Sequence, residues 1–187
     1  MNKFWRWLVL GNLLLVAVVA AGMTAQKENI SRNGRTVLLK LAPVDPRSLM
    51  QGDYMRLNFA LGDDMRHFFV KKEGLEGNSG YWQVRDKVKE KGMTRGRVVI
   101  RLDAENRAEF VRFDDGGGLA DGEMLLRYWG FFSDRGGGMA CFGSESFMFE
   151  EGKADVFAKA VYGELRVAPD GGSVLVGLRD AGLKKLE

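Results

Sequence analysis

The sequence predicts a mainly β fold of the α+β type: an antiparallel, β-rich globular domain with one amphipathic helix, preceded by a single N-terminal transmembrane helix. Three observations predict it. Leu8 to Gly22 is an almost wholly apolar run, interrupted only by Gly11 and Asn12. Short alternating or β-branched segments recur through the remainder, separated by clusters of Asp, Asn and Gly. Glycine reaches 25 of 187 residues with only 3 prolines and no repeating period, which suits tight turns in a packed β protein better than a flexible chain.

Met1 to Trp7 is short, basic and aromatic, with Lys3, Trp5, Arg6 and Trp7. Trp7 to Ala25 would give roughly 28 Å of helix at about 1.5 Å per residue, enough to cross a bilayer core. Cations ahead of the span and tryptophans at its edge favour an N-in orientation in a bacterial inner membrane, with everything after residue 25 in the periplasm or outside. A cleaved signal peptide is the rival, with Val18-Val19-Ala20 or Met23-Thr24-Ala25 as small-residue cleavage sites. Neither is a clean A-x-A, and the run outlasts a typical signal-peptide core. Residues 1–25 are therefore read as a membrane anchor, with a signal peptide as the alternative, and residues 26–187 as an exported domain. A buried core helix fits least, because so uniform an apolar cylinder would need cover on every side.

Gln26 to Arg35 is polar and reads as a connector. Thr36 to Leu41 is a short strand, ended by Pro43 and Asp45-Pro46. Tyr54 to Ala60 alternates, with Met55, Leu57 and Phe59 on one side and Tyr54, Arg56 and Asn58 on the other, the period of a half-buried strand. Arg97 to Leu102 and Ala108 to Phe113 form a hairpin about Asp103 to Asn106. Met124 to Phe132 and Ala140 to Phe149 are two more apolar strands. Gly163 to Ala168 and Ser173 to Leu178 make a second hairpin, with Leu165 and Val167 facing one way and Glu164 and Arg166 the other. Between them Ala154, Phe157, Ala158 and Val161 fall at i, i+3, i+4 and i+7, one apolar stripe of a helix over Glu151 to Val161. A short helix is expected to close the chain near Ala181 to Leu186.

Charge narrows the functional classes. The pI is near 9.0. Lys3 and Arg6 account for most of the net charge of +3, and the remaining basic and acidic residues nearly balance. No basic stripe of the kind that tracks phosphates is present, so nucleic acid is not an expected partner. Cys141 and His67 are single residues of their kind. A zinc centre needs several such ligands, so no metal and no cofactor is expected. Cys141 reads as a buried thiol and His67 as a partly exposed surface histidine.

Catalytic patterns fail in detail. Phe142-Gly143-Ser144-Glu145-Ser146 lacks the second glycine of a nucleophile elbow. The triglycines at 116–118 and 136–138 lack the Lys-Ser/Thr ending of a phosphate-binding loop. Asp114, Asp115, Asp121 and Glu123 lack calcium-loop spacing and read as a solvated turn.

One segment differs, because its residue types have separate physical jobs. In Asp45-Pro46-Arg47-Ser48-Leu49-Met50-Gln51-Gly52-Asp53-Tyr54, Pro46 fixes φ and Gly52 can take φ > 0. Asp53 can accept hydrogen bonds from turn amides, and Tyr54 opens the following strand. Gly52-Asp53-Tyr54-Met55-Arg56-Leu57-Asn58-Phe59 resembles the signature of the GDYXXLXY family, preceded by the Asp-Pro-Arg-Ser stretch such proteins also show. Phe59 stands where the family has tyrosine, so no hydroxyl is essential there. Phe142 to Gly152, then Ala160-Val161-Tyr162-Gly163-Glu164, also looks like that family's second half. The resemblance implies a membrane-anchored protein of unassigned biochemistry and carries over no catalytic residues. The motif or binding candidates are Asp45, Arg47, Ser48, Gly52, Asp53, Tyr54 and Leu57.

The expectation is a non-enzymatic envelope module, tethered to the lipid bilayer through residues 1–25 and serving a membrane or envelope protein partner. The alternative is a serine hydrolase distantly similar to type I signal peptidases, whose serine box also ends in Gly-Asp before a strand. Ser48 would be the nucleophile, with Lys71 or Lys72 as base. That family's nucleophile stands eight residues before the glycine, a position held here by Val44. A third option is a small-ligand pocket beside Tyr54, Arg56 and Trp82.

Overall fold

A computed structural model describes residues 3–42, 54–75, 81–132, 140–144 and 146–187. Its elements, in chain order, are α1 (Lys3–Asn33), β1 (Arg35–Lys40), β2 (Tyr54–Arg56), α2 (Ala60–Lys72), α3 (Tyr81–Glu90) and β3 (Arg95–Leu102), then β4 (Ala108–Phe113), β5 (Glu123–Trp129), β6 (Ser146–Met148), α4 (Ala154–Phe157), β7 (Tyr162–Val167) and β8 (Ser173–Arg179). The fold is the β-rich, antiparallel α+β class the sequence predicts, with a long apolar helix ahead of it.

Strands assemble as β1-β7-β8, β4-β3-β5 and the pair β2-β6, antiparallel throughout. Both expected hairpins form: β3–β4 and β7–β8. The two larger sheets meet at a single parallel bridge between Leu38 and Arg107, where the Leu38 amide donates to the Asn106 carbonyl at 2.8 Å. At another contact the Arg127 amide of β5 donates to the Gly171 carbonyl in the β7–β8 turn, also at 2.8 Å. One core lies between them, built from Val37, Leu39, Val98, Ile100, Leu126, Leu165 and the rings of Phe69, Phe131 and Phe142.

The apolar helix is longer than its hydrocarbon-like part. Trp7–Asn33 is long and apolar enough to cross a membrane; an 18-residue stretch of it has a mean hydropathy of 2.2 and is wholly exposed. Gln26 to Arg35, expected as a connector, instead continues α1 to Asn33. Two contacts hold it: Glu28 and Arg32 pair at i, i+4 along the polar turns, and Ile30 buries its side chain against the domain. Lys27 Nζ donates to the Ser173 carbonyl at 3.4 Å, and Arg166 Nη1 donates to the Gly34 carbonyl at 3.4 Å. Gly34 makes the close approach possible, since a Cβ there would stand 2.5 Å from the Ile30 carbonyl and 2.9 Å from the Val167 nitrogen. The helix therefore runs without a break into its seat on β7 and β8.

Other expectations are corrected in the same way. The Tyr54–Ala60 strand stops at Arg56, although its alternation survives: Met55, Leu57 and Phe59 all face the core. Ala60 already belongs to α2, which with α3 was not expected; Leu61, Met65 and Phe69 bury one face of α2, and Val84 and Val88 that of α3. Strand β5 ends at Trp129 rather than Phe132, because Gly130 and Phe132 take positive φ. The expected Ala140–Phe149 strand is broken at Gly143 (φ 76°) into bridges at Cys141, Phe142 and Ser144, followed by β6. The Glu151–Val161 helix shrinks to the single turn α4, since Val161 is claimed by the sheet: its amide donates to Arg179 and its carbonyl accepts from Leu41. No helix closes the chain; Asp180 accepts from the Gly182 and Lys184 amides in a turn, and Lys185 pairs with Arg179. Glu164 is not on an open face. A register shift lies between Glu164 and Leu165, and Glu164 is buried in an ion pair with Arg179 at 2.8 Å beneath that turn. Cys141 is half-buried.

Candidate functional site

The described part of the signature begins with β2, which pairs with β6 in the register Tyr54–Met148, Met55–Phe147 and Arg56–Ser146. Three residues later Phe59 bridges Leu41 at the end of β1, and the Ala42 amide donates to the Asn58 carbonyl at 2.8 Å. Phe59 is extended (φ −110°, ψ 129°) and hands the chain directly to α2, with its carbonyl accepting from the Gly62 amide at 3.0 Å. Its ring is 2% exposed and meets Phe142 edge-on, with centroids 5.9 Å apart. The ends of β1 and β2, the start of α2 and the Phe142 ring thus converge on the last residue of the motif.

Asp45, Arg47, Ser48, Gly52 and Asp53 lie outside the described residues. Tyr54 is the first residue of β2. Leu57 sits in the core at 9% exposure. Lys71 and Lys72, the bases considered for a serine hydrolase, are exposed in the last turn of α2. Trp82 is 63% exposed on α3 and stacks with the Arg85 guanidinium, whose centre is 4.3 Å from the ring centroid.

Beyond the Leu38–Arg107 bridge, β1 and β4 separate, and α2 runs past the opening. The result is an open groove of about 520 Å³, lined by Leu39 and Lys40 of β1, by Asp64, His67 and Phe68 of α2, and by Ala108 to Val111 of β4. Lys40, Asp64, His67 and Glu109 place ionisable groups of both signs around an apolar interior. Burial pushes the Asp64 carboxyl above its ordinary value; His67 opposes that rise and Asp63 adds to it. Among the described lining residues none carries a hydroxyl or thiol. The arrangement can take a ligand with an apolar body and polar edges. A smaller cleft of about 270 Å³ lies between Phe147, Phe157, Gly177 and Leu186.

Among the described residues no group of three or more His, Cys, Asp or Glu is placed to hold a metal ion. The acidic residues 114, 115 and 123 instead bind their own surroundings: Asp114 pairs with Arg97 at 2.8 Å, Asp115 with Arg112 at 2.8 Å, and Glu123 with Arg101 at 3.1 Å. The groove residues Asp64 and His67 were not among the sequence candidates. A signal for them existed, since Leu61, Met65, Phe68 and Phe69 fall at i, i+4, i+7 and i+8 and mark a helix that would carry both.

Compared with known proteins, the chain matches the family described as GDYXXLXY protein over residues 16–178, from within the apolar helix to the end of the last hairpin. No curated protein and no solved structure matches it.

Proposed function

The chain belongs to the GDYXXLXY family, and from that premise we propose that it is a membrane-anchored, non-enzymatic binding or accessory module for a membrane protein partner. In this reading α1 crosses the bacterial inner membrane once with its N-terminus inside, as an uncleaved signal-anchor, and β1 to β8 lie in the periplasm or outside. The observation that carries the proposal is the unbroken passage of α1 from its exposed apolar stretch into a seat on β7 and β8. Ile30 is about five residues beyond Ala25, roughly 7 Å along the helix axis. The domain is therefore held against the bilayer surface, which confines it to the neighbourhood of membrane proteins and raises its effective concentration there. The groove between β1, β4 and α2 supplies a surface for recognition outside the membrane.

Crosslinking of the full-length chain in native membranes, followed by gentle solubilisation and mass spectrometry, tests this. The proposal expects one membrane protein recovered in fixed proportion, with crosslinks to the groove. Recovery of the bare chain alone would remove it.

A further inference from the structure

The contacts that seat α1 fall at one end of the β1-β7-β8 sheet. Arg35, Val167 and Ser173 form the last row across its three strands, and Ala168 to Gly172 is the turn beyond that row. Lys27 Nζ reaches the Ser173 carbonyl at 3.4 Å, and Ile30 Cδ1 lies 3.5 Å from the position a Cβ on Gly172 would occupy. A Cβ on Gly34 would stand 2.9 Å from the Val167 nitrogen. Strand β1 then leaves this row for the opposite end of the sheet, where Lys40 pairs with Tyr162. If α1 spans a bilayer, as the proposed function holds, the row beside it is the end that α1 brings to the lipid. Lys27 and Ile30 stand roughly 3 and 7 Å beyond Ala25 along the helix axis, within a headgroup layer about 5–8 Å deep.

Charge marks the same end. Its two carboxylates are already neutralised, Glu28 by Arg32 and Asp170 by Arg127. Lys27, Arg35 and Arg166 have no carboxylate partner among the described residues; Lys27 and Arg166 donate to backbone carbonyls instead. In a domain whose charges otherwise nearly balance, three uncompensated cations therefore gather where the chain leaves the membrane helix. The strand register says what kind of anion they meet. Directly opposed residues share a face of a sheet and successive residues alternate, so Arg35, opposite Val167, and Arg166, opposite Thr36, emerge on opposite faces. A small anion bound on either face meets one of them. The phosphates of a lipid leaflet surround α1 on every side, and long basic side chains can reach back to them from both faces.

We propose that this end of the sheet, through Lys27, Arg35 and Arg166, is a docking surface for the phosphates of anionic phospholipids and fixes how the domain stands on the bilayer. The contact rests on the membrane-anchored reading and names the surface that faces the lipid. Lys40, in the groove, lies at the other end of β1, roughly 17 Å along the strand from Arg35. Lipid contact at the turn end thus leaves the groove open to a protein partner.

Photoactivatable lipids test it on the full-length chain in nanodiscs of phosphatidylcholine and phosphatidylglycerol. A diazirine on the phosphatidylglycerol headgroup should modify residues 27–35 and 166–173 and leave Asp64 and His67 of the groove unmodified. The same diazirine on phosphatidylcholine, which carries no net charge, should give at least about 5-fold fewer adducts, the worth of one cation at an anionic surface. Lys27→Gln, Arg35→Gln and Arg166→Gln combined should erase that preference. Arg35→Lys with Arg166→Lys should keep it, because charge rather than side-chain shape is read. Adducts spread evenly over the domain, a preference indifferent to the glutamines, or its loss in the lysine pair would overturn the proposal. Loss of the adducts to excess glycerol phosphate at fixed ionic strength would assign the cations to a soluble anion and overturn it as well. A diazirine at the end of an acyl chain separates this failure from the failure of the membrane-anchored reading. Acyl adducts on residues 8–22 without headgroup adducts on the hairpin sink the docking surface alone, and adducts from neither probe sink both.

Discussion

A Cβ added to Gly163 would stand 2.8 Å from Cε1 of Phe59, so the ring that ends the signature occupies the space a side chain on β7 would need. Phe142 closes the other side of that ring. Gly163→Ala should therefore destabilise the domain by about 1–3 kcal/mol through overpacking, a loss of about 2–4 °C in Tm for each kcal/mol. Phe59→Leu in the same chain should recover part of the loss, because a smaller group vacates the clash. Thermal melts of the two variants check it; an unchanged melt for Gly163→Ala would contradict the packing described.

The seat of α1 depends on Gly34 in the same way. Gly34→Val places its side chain against the Ile30 carbonyl and the Val167 nitrogen. The expected outcome is release of the last turns of α1 without loss of the sheets. Limited proteolysis should then cut within residues 26–34 at least several-fold faster than in the wild type, while the melt of the domain changes little.

Tyr128 gives a pH signature. Its hydroxyl donates to the Met93 carbonyl at 3.1 Å, and burial pushes its pKa from 10.0 up to about 12. The folded state holds this proton more tightly than the unfolded chain, so stability from the group is complete below pH 10 and is lost as pH rises from 10 towards 12. Tyr128→Phe should cost about 0.5–1.5 kcal/mol at neutral pH. It should also flatten the part of the alkaline decline that belongs to this group, as read by denaturant midpoints between pH 9 and 12.

Asp103 acts at the other end of the scale. Its carboxylate accepts from Arg107 Nε at 2.6 Å and from the amides of Glu105 and Arg107 at 2.9 and 2.8 Å, locking the β3–β4 turn. The Arg107 side-chain hydrogen bond leads in holding its pKa below the ordinary carboxylate value. Stability from a depressed carboxyl is present above the unfolded pKa of 3.8 and is lost as pH falls through the lower folded value. Asp103→Asn should lower the denaturation midpoint at pH 7, with the gap to wild type closing as the pH drops below about 4.

Much of this architecture was legible in the sequence. The hairpins were visible because β3, β4, β7 and β8 carry β-branched residues around short Asp, Asn and Gly turns. Met55, Leu57 and Phe59 declared their buried side by alternation alone. What was missed has physical causes. The alternation ran to Ala60 and concealed that Phe59 is also the residue before α2, because a period of two and the start of a period of 3.6 overlap there. Polar residues 26–33 looked like a linker, since nothing local announces that Ile30 finds a partner more than 130 residues away. The Glu151–Val161 stripe was real in spacing, but backbone bonds of Val161 to two strands outweighed it. The groove residues were hidden for a related reason: Lys40, His67 and Glu109 meet only once β1 and β4 diverge across α2.

The membrane topology is tested most directly by labelling with a membrane-impermeant maleimide in intact spheroplasts. The subject is the full-length chain carrying Leu119→Cys, an exposed position after β4, with Cys141→Ala removing the native thiol. An anchored chain with its domain outside predicts labelling without permeabilisation, in a band of the full 20.9 kDa that sediments with the membranes. Labelling only after lysis, or a labelled band that is shortened and soluble, would contradict it.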